Sequence, residues 1–263
     1  MIAQKTWREV RLMAFVYMAV LQLMLTPAVL LWPELKDGIA ILGRAVPMQM
    51  IRDMVQAMTD RNPEVAYRAY MAVQIFFKGV NVVGIASAIL LGTGLISRER
   101  ENHTLEFLLA RPVGRSHLLW SKCWVVALCL VIPIFLTTWT AIPLSWCIQL
   151  DLPFWPLTIG CIYSSLFVLT FFTLTVLASV VCRTQVHVAF LVGVFVIVQV
   201  GLLFLPAIHV ASVFHLSDFQ IYGPILAGNV RLERLMQSHG IWLLLAIAGL
   251  YVGADRALRR LEL

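Results

Sequence analysis

Six stretches of the chain carry no Asp, Glu, Lys or Arg: residues 12–33, 79–97, 123–150, 152–182, 184–217 and 235–254. Each is dominated by apolar side chains, and the shortest holds 19 residues. A hydrocarbon core about 30 Å thick is crossed by roughly 20 helical residues at about 1.5 Å each. A helix satisfies its own backbone groups, so apolar runs of this length predict spanning helices rather than strands. The predicted spans are 12–32, 71–96, 123–146, 154–182, 187–208 and 241–257. The expected fold class is all-α integral membrane with six transmembrane helices, forming one domain over 1–263.

The segments between spans have patterns of their own. Residues 1–11 place Ala3, Trp7 and Val10 on one helical face and Lys5, Arg8 and Glu9 elsewhere. That predicts either a short helix lying flat in the headgroup region or a frayed tail. Within 33–70, Pro47 can start a helix and Pro63 can stop one, with Met50, Ile51, Met54, Val55 and Met58 forming an apolar stripe between them. A further short helix is expected near 224–237. Both would be amphipathic segments of the outer face.

Charge then orients the chain. Six crossings put residues 1–11, 97–122, 183–186 and 255–263 on one side, with twelve Lys/Arg against six acids. The other side has seven against eight. Basic residues are retained in the cytoplasm, so both termini are expected there, in the cell (inner) membrane. The net charge of +6 is then a topology signal and needs no nucleic acid.

Candidate chemistry is sparse. Gly79 and Gly84 have the glycine spacing of a phosphate loop but are followed by Ile85-Ala86 instead of Lys-Ser/Thr. No HExxH or GxSxG occurs, and the five cysteines show no CxxC spacing. Methionines in the outer stripe invite a soft-metal reading, but their mixture with Ile and Val suits packing. The chain is expected not to be an enzyme, and to bind no cofactor or metal itself.

A few polar residues lie inside spans, where charge costs at least about 2.5 kcal/mol. Lys78 can snorkel to the interface or line a polar path, and Asn81 and Gln199 are the other candidate pathway residues. Gly84, Ala88 and Gly92 stand at four-residue intervals, the spacing of a helix-packing seam. Ser164, Ser165, Thr170, Thr173 and Thr175 can bond across helices or back to their own.

The segment from Arg98 to Lys122 is the exception to this oiliness, with eight charged residues. Asn102 or Thr104 can cap a helix, Glu106 suits its first turn, and Leu105, Leu108 and Leu109 share a face until Pro112 ends it. A two-turn helix is unstable alone in water. Something must cover its leucines, whether the membrane surface or a partner's groove.

The run Glu99-x-Glu101-x-x-Thr104-Leu105-Glu106-x-Leu108-Leu109-x-x-Pro112-Val113-x-Arg115, with Lys122 opening the next span, resembles the cytoplasmic signature of ATP-binding-cassette type-2 transporter permeases. His103 departs from the glycine usual in that family. The resemblance implies a single transmembrane permease domain over 1–263, with a short N-terminal interfacial helix and a second permease copy as partner. It also implies a separate cytoplasmic ABC ATPase holding ATP-Mg, within surrounding membrane lipid. Helix 102–110 would be the coupling helix. Thr104, Leu105, Phe107, Leu108 and Leu109 would then be contacts and Glu99, Glu101, Glu106 and Arg115 polar neighbours. Spans two and five would lie near the dimer axis, making Gly84, Ala88 and Gly92 a dimer seam. The implied function is export. The alternative is a scaffold that passes ATPase motion to an outer-face protein partner, for example in metalloenzyme maturation, without moving a solute.

Overall fold

The computed structural model describes residues 2–42, 49–102, 114–205, 208 and 211–260. Six helices are long and apolar enough to cross a membrane, and no strand occurs among the described residues. Span one is Ile2–Leu30, span two runs over Pro63–Glu101 with internal irregularities, and span three is Arg115–Cys147. Span four is Phe154–Val181, span five Gln185–Leu203, and span six Leu232–Arg260.

Residues 2–11 are the opening turns of span one, not a separate flat helix. No glycine or proline interrupts the join, so the helix simply continues. Span two begins at Pro63, earlier than expected. Asn62 caps it by accepting a 3.0 Å hydrogen bond from the Glu64 amide, and Pro63 occupies the first turn, where its missing N–H is harmless. Pro63 therefore starts a helix, while the amphipathic helix before it, Gln49–Met58, has already ended. Met58 is buried and Met54 packs against the same core. Helix Trp32–Leu42 flanks them.

Span four is the axis of the bundle. Tyr163, Phe167, Val168, Phe171, Phe172 and Val176 are buried along it, surrounded chiefly by spans two, three and six. Between spans five and six the chain forms a 3-10 turn, Val213–Ser217, then a helix, Phe219–Leu226. That helix wedges between spans two and four. Gly228, at φ +79°, lets the chain leave it in a left-handed turn. A single helix at 224–237 is thus replaced by two, because the chain must turn at Gly228 before span six begins.

Candidate functional site: a charged collar at one end of the bundle

Span two is irregular twice. Over Ala72–Val83 it widens into a π-helix, and a Cβ on Gly79 would stand 2.9 Å from the Gln74 carbonyl oxygen. Near its far end the helix Gly84–Thr93 stops, and a short helix, Ser97–Glu101, sets off after a turn. The break frees backbone groups inside the protein, and neighbouring spans satisfy them. Ser179 of span four accepts from the Ile96 and Ser97 amides at 3.0 Å each and donates to the Thr93 carbonyl at 3.1 Å. The Ser97 hydroxyl also donates to the Thr93 carbonyl. Lys122 of span three donates to the Leu95 carbonyl at 3.0 Å.

From this braced break, 97–101 projects side chains toward spans one, three, four and five. Glu99 receives Lys122 at 2.7 Å, with both side chains buried, and lies 3.6 Å from Lys5 of span one. Arg100 donates to the carbonyls that end span four, closest at 3.1 Å on Val180. There it complements the negative end of that helix. Glu101 accepts from the Gln185 side chain at 3.1 Å and from its amide at 3.5 Å, where span five begins and an acid suits the dipole. Beyond residues 103–113, Arg115 donates to the carbonyls of Leu258 and Arg259 at the end of span six. Arg259 returns a 3.0 Å hydrogen bond to Ser116. One short charged stretch therefore ties together the same end of all six spans. The first and last described helical turns both lie at that end.

A protein-family model described as ABC-2 family transporter protein matches residues 12–221, most of the chain. The chain belongs to the ABC-2 transporter family. It is a membrane permease of an ABC transporter, a family that implies an ATPase partner. No individually curated protein matches the chain closely enough to be cited as a relative.

In this ABC-2 permease, Glu99, Glu101 and Arg115 each join the collar through different partners, while Thr104, Leu105, Glu106, Phe107, Leu108 and Leu109 lie outside the described residues. The expected pathway residues do not come together. Lys78 is exposed on the outside of span two. Asn81 is buried and donates at 3.0 Å to both Ser217 and the Tyr222 hydroxyl, which lies 2.7 Å from Ser164. Gln199 holds the turn after span five, its side-chain oxygen accepting from the Val213 amide at 2.9 Å and its carbonyl accepting from Ser212.

Gly84, Ala88 and Gly92 form a packing seam inside the protomer. A Cβ on Gly84 would stand 2.7 Å from Val168 Cγ2, one on Gly92 2.8 Å from Thr175 Cγ2, and Ala88 is fully buried. Their smallness lets spans two and four of one protomer approach closely.

Sequence reasoning passed over Arg100, Gln185 and Ser179 as members of the site, read Lys5 only as a charge near the membrane, and placed Lys122 in the resembling signature without a partner. A usable signal existed for Lys122, a charge abutting an apolar run with Glu99 and Glu101 on the preceding segment. Ser179 gave none, because a serine inside a span usually bonds to its own helix. Asp218 stabilises the segment between spans five and six. It is buried and caps helix Phe219–Leu226 through its own Oδ1 on the Phe219 amide at 2.6 Å.

Proposed function

We propose that the chain is the membrane half of an ATP-driven exporter, paired with a second copy and driven by a separate cytoplasmic ATPase that grips residues 102–110. The collar carries this reading. The expected gripping segment sits between residues that hold the ends of spans two, four and five on one side and of span six on the other. A displacement of that segment would reach all six helices together, which suits rocking of a rigid bundle.

The pathway is assigned to the space between copies. Inside the protomer, the pocket among Leu21, Gln74, Gly79, Thr137 and Thr138 offers about 10 Å³, room for one water-sized body, and a second at the collar beside Glu9, Leu95 and Lys122 offers about 70 Å³. Span five presents an open face instead, with Phe190 and Ile197 more than two-thirds exposed and nothing near Gly193 or Gly201. We assign the second copy to that face, and the collar end to the cytoplasm.

Leu105→Asp and Leu108→Asp are expected to abolish capture of the ATPase while the permease still reaches the membrane. Co-purification in mild detergent measures this, and full capture by both variants would end the coupling assignment. The same tight protomer core favours the scaffold as second reading. A flux assay in vesicles bearing the permease–ATPase complex separates the two: no ATP-dependent movement of any solute, with an outer-face protein bound, would select the scaffold.

A further inference from the structure

Where the first turns of span one pass span three, a groove of about 440 Å³ opens sideways from the bundle. Its mouth is Gln4, Trp7 and Arg8, and its wall is Val125, Leu128 and Ile132 of span three. The wall residues follow a helical stripe and run about 10 Å along the axis, away from the collar end. Trp7 is half-exposed, as are Trp120 and Trp124, which stack with centroids 6.0 Å apart on the neighbouring turns of span three. Indoles in this setting mark the level of the lipid headgroups.

The charges at the mouth are unbalanced. Lys5 is engaged by Glu9 at 3.9 Å and Glu99 at 3.6 Å. Arg8 lines the groove, no acid does, and no described acid forms an ion pair with Arg8. A cation at headgroup level above an apolar trough that descends into the bilayer matches one amphiphile. We propose that this groove holds a single anionic phospholipid, its phosphate on Arg8 and one acyl chain along Val125, Leu128 and Ile132. A free phosphate would satisfy Arg8 but leave the trough uncovered, and a zwitterionic lipid would weaken the attraction at the mouth. The leaflet involved, the cytoplasmic one, rests on the orientation proposed above; the chemistry of the groove does not.

The test uses the purified full-length protein in detergent with equal amounts of phosphatidylglycerol and phosphatidylcholine of matched chains. Retained lipid is counted by native mass spectrometry. Phosphatidylglycerol is expected to be retained in preference. Arg8→Gln should lower its retention by about fivefold, the weight of one basic residue against anionic lipid, and leave phosphatidylcholine unchanged. Ile132→Trp, which fills the trough from a half-exposed position, should also lower phosphatidylglycerol retention. Unchanged thermal midpoints would establish that both variants fold. Equal retention of the two lipids, or full phosphatidylglycerol retention in Arg8→Gln, would overturn the site. Displacement of the lipid by excess glycerol phosphate would overturn the lipid as occupant in favour of a bare anion. ATPase capture is measured separately, so failure here leaves the coupling reading standing.

Discussion

Glu99 and Lys122 face each other at 2.7 Å with little access to water. Two charges withdrawn from solvent repay their desolvation only while they hold each other. Lys122→Met should therefore destabilise the permease by about 3–5 kcal/mol, read as a fall in its thermal midpoint in detergent. Adding Glu99→Gln to that variant should restore much of the loss. Asn81 presents the neutral counterpart of the same problem. Asn81→Leu strips partners from Ser217 and Tyr222 and should cost about 1–3 kcal/mol, while Lys78→Gln, at an exposed position, should leave the same midpoint unmoved. The type of each of these residues was legible in the sequence, but its partner was not. Asn81 lies 136 positions from Ser217 and 141 from Tyr222, and no local pattern encodes a meeting across that distance.

The elements themselves were largely written in the apolar runs, because the bilayer demands a continuous helix wherever charge is missing. Their ends were not. Span two gained a turn or two at Pro63 and lost its regularity over Ala72–Val83, where packing against Tyr222 and span four competes with ideal helix geometry. The small-residue stripe of span two was legible as a close contact, and the structure shows span four of the same protomer against it. Gly92→Val should cost about 1–3 kcal/mol by overpacking against Thr175, with the dimer fraction of the folded protein unchanged by light scattering. A loss of dimer with an unchanged melt would return that stripe to an interface between copies.

At the scale of the molecule, the collar joins one end of all six spans through hydrogen bonds and ion pairs. Arg100→Ala combined with Glu101→Ala releases the ends of spans four and five from span two. Under the proposed function, the variant should still capture the ATPase and hydrolyse ATP, yet lose ATP-driven flux in sealed vesicles. Orientation has its own reporter in Cys147, an exposed thiol at the end of the bundle away from the collar. A membrane-impermeant maleimide added to intact cells should label it, and Cys147→Ser should remove that signal. The sequence by itself determined the six apolar helices, the shared end for the first and last of them, and the position of the charged segment. These follow from short-range hydropathy and from charge, which a bilayer reads residue by residue. Only the tertiary structure decided that Lys5, Lys122, Gln185 and the closing carbonyls of spans four and six converge on that segment. Hydrogen bonds and ion pairs select partners by position in space, and the apolar helices that set those positions pack through shapes that no linear pattern records.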